Sequence, residues 1–231
     1  MGDESDDPQP GFHHWESFKG QGVYTGVTLN INGEHTSYED TVYTSDLLTE
    51  HAVEWMEQLE SDQPFFVYLS HKAVHSEFKQ AARHAGMYAG VDYELPATYS
   101  QTQDESYKEL LWPEWVKQQR HSWHGVDYMY HAKGAVGDLV IDYCETLMGV
   151  DESIGTVMAY LEARGIADET VVIYMGDNGF SWGEHGLIDK RHFYEESAKV
   201  PLLVRCPDLF EASGTSHSLV QNIDIAPTIM E

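Results

Sequence analysis

Cysteine is almost absent. Cys144 and Cys206 are the only two in 231 residues, too few for a disulfide framework and without the spacing of a metal site, so they can pair with each other or stay free. Basic residues are scarce as well. Thirteen Lys and Arg face 39 Asp and Glu, a formal net charge of −26, which argues against a general binder of nucleic acid or anionic membranes, because phosphate contact needs clustered cations. No stretch approaches the roughly 18 uninterrupted apolar residues of a membrane-spanning helix. The opening residues Met1–Pro8 have neither the basic nor the apolar region of a signal peptide. What remains is ample for folding: 42% hydrophobic and 12% aromatic residues can bury a core, and the length fits one large domain or two small ones. The acidity reads either as an ordinary solvated surface or as adaptation to high salt.

Periodicity predicts the elements. Ser45–Glu60 carries Leu48, Ala52, Trp55, Met56 and Leu59 on one helical face, with Ser45 as the N-cap. Pro64–Ser70 is a short apolar run that reads as a buried strand, and Lys79–Tyr88 as a weak helix. The polar, aromatic stretch 90–120 contains Pro96 and Pro113 and reads as a surface excursion or insertion. Asp138–Arg164 is the longest helical pattern, stopped at Gly165. Thr170–Met175 and Val200–Arg205 are β-branched strands, and Ser218–Glu231 is the start of an amphipathic helix. Alternating strands and helices imply an α/β class with a mainly parallel central sheet flanked by helices. No internal boundary stands out, so 1–231 reads as one domain, and a chain that stops within an apolar periodic run reads as a fragment.

Ligands in such sheets collect beyond the carboxyl ends of strands. One such end carries Ser70-His71-Lys72-Ala73-Val74-His75, a cationic, proton-donating corner on an acidic chain. Another carries Gly176-Asp177-Asn178-Gly179, whose side-chain oxygens suit Ca²⁺ or Mg²⁺, although Asp-Asn-Gly is also an ordinary turn. Downstream, Gly183-Glu184-His185-Gly186 and Asp189-Lys190-Arg191-His192 crowd further ionisable groups into a loop of about 20 residues, a length usually kept for function. A divalent cation beside His and Lys suits an oxyanion ester, whose charge must be neutralised before a nucleophile approaches.

Those residues resemble the type I sulfatases of the alkaline phosphatase superfamily. The stretch Pro64–Phe78 is similar to the family's strand and loop ending in an active-site His. Tyr143–Pro207 is similar to its long helix, Asp-Asn metal turn and following Lys, and the QNIDIAPT segment is also typical. Gly11–Gly33 and Ser122–Tyr130 resemble the carbohydrate, N-acetylglucosamine-6-sulfatase-like branch. The resemblance implies an alkaline-phosphatase-like sandwich. It implies Asp177 and Asn178 as Ca²⁺ ligands (Ca²⁺ before Mg²⁺), His75 as the sulfate-binding residue that assists departure of the alcohol oxygen, and Lys190 as a contact to a sulfate oxygen. His185, His71, Arg191 and His124 follow as substrate contacts.

The same family uses a formylglycine nucleophile made from the Cys or Ser of a Cys/Ser-x-Pro-x-Arg motif. This sequence holds no such motif, nor the first Asp-Asp metal pair, so the chain is expected to carry part of a catalytic domain, with the nucleophile-bearing part and a C-terminal subdomain outside it. The implied partner is a sulfated glycan, and family habit implies a periplasmic or secreted place. Oligomeric state and the particular sugar stay open. The rival readings are a phosphodiesterase or phosphonate hydrolase of the same superfamily, and a non-catalytic Ca²⁺- or glycan-binding remnant.

Overall fold

The computed structural model describes residues 5–102, 112–119, 129, 136–210 and 213–231, with the side chains at 100–102 and 119 left aside. Contacts divide the chain into two compact units, Met1–Tyr93 with Gly137–Tyr160, and Glu94–Val136 with Leu161–Glu231.

The first unit opens with a three-stranded antiparallel sheet, β1 (Glu16–Ser17), β2 (Thr28–Ile31) and β3 (Glu34–Ser37), in the order β1-β2-β3. Ile31 pairs with Glu34, so Asn32-Gly33 is a two-residue loop. Both of its residues sit at positive φ, 53° and 100°, the backbone that a hairpin twisting with its strands demands and that Asn-Gly supplies at least cost. Asn30 Oδ1 accepts the Gly33 N–H at 2.7 Å and locks the turn.

Helix α1 (Thr44–Glu57) packs on this sheet through a core of Val27, Leu29, Leu47 and Leu48, against which Phe18, Ile31, Tyr38, Val42 and Leu69 close. Its start departs from the sequence reading. Ser45 lies buried inside the first turn and caps nothing, while the N-cap position is Tyr43, without a side-chain cap bond. Tertiary bonds set the boundary instead: the Thr44 N–H reaches Tyr24 O at 2.8 Å and Thr44 Oγ1 donates to Val23 O at 2.7 Å, drawing one more residue into the helix.

Pro64–Ser70 forms no strand among the described residues. Its burial alternates, with Phe65, Val67 and Leu69 half-buried and Phe66 and Tyr68 exposed, so the chain is extended with one face packed and no ladder partner. Lys79–Tyr88 is likewise not a helix. It is a run of turns, His84 N to Ala81 O and Met87 N to His84 O. The long helix, numbered α4 in chain order, spans Val136–Ala163 and contributes Gly137–Tyr160 to this unit. Its C-terminal end is as expected: Gly165 takes φ 72°, its N–H reaches Glu162 O and that of Ile166 reaches Leu161 O, satisfying carbonyls the helix would leave bare.

The second unit holds α2 (Ala97–Thr102), α3 (Glu114–Gln119), β4 (Val172–Met175), β5 (Ser181–Trp182), β6 (Ile188–Asp189), α5 (Glu195–Ala198), β7 (Leu202–Arg205) and α6 (Asn222–Met230). The stretch 90–120 is in part packed: Trp112 and Val116 are buried with Leu187, and Tyr194 lies against them. β4 pairs with β7 and β5 with β6, both antiparallel. The class is α/β as expected, but every described strand pairing is antiparallel where a mainly parallel sheet was expected. The connection from β4 to β7 contains only two-residue strands, a single 3-10 turn at Glu184–Gly186 and the four-residue α5. It brings the chain back to the end it left, whereas a parallel crossover must traverse the sheet. Helix α6 carries a capping box between Gln221 and Asp224 and buries none of its residues. Cys144 is half-buried and Cys206 buried, in different units, and both are free thiols.

Candidate functional site

In the first unit the chain leaves the extended Pro64–Ser70 segment and turns sharply, the His75 N–H reaching Lys72 O at 2.9 Å. Two neighbours fix the turn. The Tyr24 hydroxyl donates to His75 O at 2.5 Å, and the Lys72 ammonium reaches Ser76 O at 3.2 Å. The His75 ring lies over its own backbone, with Nδ1 2.7 Å from Ser76 O and 3.3 Å from Lys72 Nζ. A carbonyl can only accept, so the proton of that contact lies on Nδ1. Half-buried and oriented by its second nitrogen, His75 has what a general acid requires.

His71 takes a different position. Its Nε2 is 2.9 Å from Ser153 Oγ on α4, and Ser153 in turn is 2.6 Å from Thr49 Oγ1 on α1. Its Nδ1 is buried without a hydrogen-bond partner, and burial pushes its pKa down to about 4. The ring is a neutral strut, tied through Ser153 to α4 and α1.

In the second unit, β4 delivers Gly176-Asp177-Asn178-Gly179 to its carboxyl end. Asp177 is exposed and Asn178 half-buried. Asp177 Oδ1 accepts the Asn178 N–H at 2.8 Å, and Asn178 Nδ2 donates to Gly179 O at 2.8 Å, so the Asn amide is held with its oxygen as the uncommitted end. The turn is pinned from outside by Asn222 Nδ2 on Asp177 O, 3.0 Å, and by the Gly179 N–H on Ser197 O, 2.9 Å. A Cβ at Gly179 would sit 2.0 Å from Glu196 O, so only glycine lets the backbones approach this closely.

The loop after the turn gathers the remaining candidates. His185 holds φ 54°, stacks on Tyr194 with ring centres 3.9 Å apart, and places Nε2 3.5 Å from Glu196 Oε2. Lys190 is half-buried, and its ammonium makes no ion pair among the described residues. Arg191 is less available: its guanidinium grips the buried Asp189 carboxylate through Nε and Nη2 at 2.9–3.1 Å. His124 lies outside the described residues.

The structure thus sets His71 and His75 in the first unit and brings Asp177, Asn178, His185, Lys190 and Arg191 into the second. Three residues gain importance that no site role drew from the sequence: Tyr24 and Lys72 around His75, and His192, buried, with Nδ1 2.9 Å from Ser197 Oγ and its pKa lowered by burial. Lys72 had a visible signal, a cation three residues before the His. Tyr24 is about fifty positions away and had none.

As metal donors, Asp177 and Asn178 fit in kind. Carboxylate and amide oxygens are what a hard divalent cation takes, and Asn178 commits its NH₂ rather than its oxygen to the Gly179 carbonyl. They are a partial set, since Ca²⁺ takes about six to eight oxygens and no group of three or more potential ligands exists among the described residues.

Comparison with known proteins decides the family. The sulfatase family model matches residues 5–231. The chain belongs to the sulfatase family. Among curated relatives, this chain is 29% identical to the N-acetylglucosamine-6-O-sulfatase of Bacteroides thetaiotaomicron over 97% of its own length and 49% of that protein. It is 28% identical to the N-acetylglucosamine-6-sulfatase of Capra hircus over 96% of the chain and 38% of that protein. The resemblance is therefore to the N-acetylglucosamine-6-sulfatase-like branch, and the chain spans half or less of these relatives' length. A solved structure described as a complex with its substrate D-glucosamine-2-N,6-O-disulfate matches with a TM-score of 0.68 and 25% identity, covering 87% of this chain and 51% of that one. The chain thus has the α/β fold of its alkaline-phosphatase-like relatives. No described helix is long and apolar enough to cross a membrane.

Proposed function

We propose that this chain is part of an enzyme that hydrolyses a sulfate ester on a carbohydrate, with a 6-O-sulfated amino sugar as substrate class. The observation that carries the reading is the built turn at Gly176–Gly179, two hard oxygens held at a strand end in one unit with an ammonium that makes no described ion pair, Lys190. The match to a structure bound to a sulfated glucosamine supports the substrate class. A periplasmic or secreted place belongs to the same proposal.

The residues present suggest a division of labour. Asp177 and Asn178 hold part of the shell of a Ca²⁺ ion, which when bound supplies positive charge to the sulfate oxygens. Lys190 contacts a sulfate oxygen and offsets charge accumulating there in the transition state. His75, with Nδ1 committed to Ser76 O, gives a proton from Nε2 to the departing sugar oxygen. His185, stacked on Tyr194 in the second unit, contacts the substrate. The nucleophile is a formylglycine contributed by sequence this chain does not contain. Net charge of −26 does not oppose an anionic substrate, because Lys190, with a dication held at Asp177 and Asn178, would make the surroundings of that turn locally positive.

The test is turnover on defined sulfated monosaccharides. A protein containing both this chain and the formylglycine-bearing segment releases sulfate from 6-O-sulfated N-acetylglucosamine, while this chain alone releases none. Turnover by the chain alone would overturn the division of the site. A preference for phosphodiesters or phosphonates over sulfate esters would move the protein to the rival chemistry of its superfamily.

A further inference from the structure

We propose that His192 is a positioning residue for the Asp177-Asn178 turn, acting through Ser197 of α5. This deepens the roles given above to Asp177 and Asn178 and rests on them. The residues involved all lie within the second unit.

Helix α5 is too short to hold itself. Four residues close barely one turn, and fixing that much backbone gains too few hydrogen bonds to be stable alone. Its N-cap residue, Tyr194, adds no side-chain bond. Yet the Asp-Asn turn leans on this helix. The Gly179 N–H donates to Ser197 O at 2.9 Å, and a Cβ at Gly179 would sit 2.0 Å from Glu196 O and 2.8 Å from Lys199 O. Carbonyls at the end of α5, which the helix itself does not use, thus form the cradle for residue 179, next to Asn178. Any shift of α5 moves that cradle.

His192 supplies the missing restraint. Its Nδ1 is 2.9 Å from Ser197 Oγ, both residues are buried, and its ring meets Tyr194 edge-on with centres 5.3 Å apart. The bond closes over Phe193, which is 97% exposed and anchors nothing among the described residues. Two positions before His192 stands Lys190, preceded in turn by the buried Asp189 of β6. The loop that carries Lys190 is therefore joined to the turn in two steps, His192 to Ser197 and Ser197 to Gly179. Packing alone is a poor reason for an imidazole here. Its Nε2 is buried without a hydrogen-bond partner, a cost that an apolar side chain of similar volume avoids. What the ring offers and leucine does not is the bond to Ser197. Burial lowers its pKa, so at neutral pH that bond is made by the uncharged ring.

Amide hydrogen exchange followed by NMR on the intact chain tests this, comparing wild type with His192→Leu, Ser197→Ala, the two combined, and Ser197→Thr. The Gly179 N–H is the reporter, because it bonds the turn to α5, and amides of the β4–β7 ladder are the control. His192→Leu and Ser197→Ala each speed Gly179 exchange about fivefold, the scale of one buried hydrogen bond, and leave the ladder rates alone. The double variant goes no further, since both changes remove the same bond. Ser197→Thr, which keeps the hydroxyl, keeps the wild-type rate. A space-filling role would instead leave Gly179 slow in His192→Leu. If one single variant loses the wild-type circular dichroism spectrum, the other is read in its place with the same expectation. Unchanged Gly179 exchange in a folded single variant, additive effects, or an equal rise across the ladder overturns the proposal. So does loss of the fold in both single variants, which would make the bond a support of the whole unit rather than of the turn. These rates involve neither Ca²⁺ nor sulfate. A failed metal role would show in Asp177→Ala, which leaves the His192–Ser197 bond in place.

Discussion

Acidifying the protein from pH 7 to pH 4 should weaken the first unit through one side chain, His71. Its Nε2 is tied to Ser153 and its Nδ1 is buried without an acceptor, so a second ring proton has nowhere to go. Burial holds its pKa at about 4 against an ordinary 6.5. Above pH 6.5 neither the folded nor the unfolded chain protonates it, and nothing is lost. Below 6.5 the unfolded chain takes up a proton that the fold refuses, and stability falls until about pH 4, where both states are protonated. A difference from 6.5 to about 4 corresponds to about 3 kcal/mol. Other shifted groups are common to wild type and His71→Leu, so they cancel in the comparison between the two proteins. His51, raised chiefly by its hydrogen bond to Glu16, contributes in full below 6.5 and loses its contribution only as pH rises. Burial alone would raise Glu16, but hydrogen bonds from His51 and His14 hold it below the usual carboxylate range, so its own loss comes only at lower pH. His192 acts with the same sign as His71 but sits in the other unit. Urea unfolding at half-unit pH steps, in wild type and His71→Leu, isolates the term: the substitution should flatten the slope between pH 6.5 and 4 by about 3 kcal/mol in total. An equal slope in both proteins, or a His71 NMR midpoint near 6.5, would refute the argument.

Three further outcomes follow from the candidate residues of each unit. Asp177→Ala should abolish whatever Ca²⁺ heat the chain shows in calorimetry, and an unchanged isotherm would remove Asp177 from the metal shell. In a complete enzyme, His75→Ala should lower turnover on an unactivated sulfate ester by roughly 10²–10⁴-fold, and full activity would reject the general-acid role. Gly179→Ala drives a methyl into the Glu196 carbonyl and should both destabilise the second unit in thermal unfolding and weaken Ca²⁺ binding; a variant matching wild type in both would show that the turn is not built on that contact.

The elements readable from sequence were those set by local rules. The Gly165 stop on α4 and the β-branched runs at β4 and β7 need only a dozen residues of context. The Asn32-Gly33 hairpin follows from an equally local rule, although the sequence reading passed over it. What could not be read was decided by distant partners. Ser45 satisfies every local rule for an N-cap, yet the bond from Thr44 to Tyr24 moves the boundary past it. Pro64–Ser70 has strand composition, but a strand is a relation between two segments and no described segment pairs with it. The site followed the same division. Asp177 and Asn178 stand out because glycines bracket them, and His75 because the family resemblance marks it. Nothing near His71 in the sequence announces its bond to Ser153, 82 positions away.

The bare apolar side of α6 has a colloidal consequence. Leu219, just ahead of that helix, and Ile223 and Met230 within it lie 91%, 76% and 85% open to water on a molecule whose net charge is −26. Mutual repulsion between copies is then what keeps such greasy residues apart, and its range is about 10 Å in 0.1 M salt and about 3 Å at 1 M. Concentrated brine therefore shortens the reach of that repulsion and strengthens the attraction between exposed oily side chains, so particle size in light scattering should climb along a salt gradient.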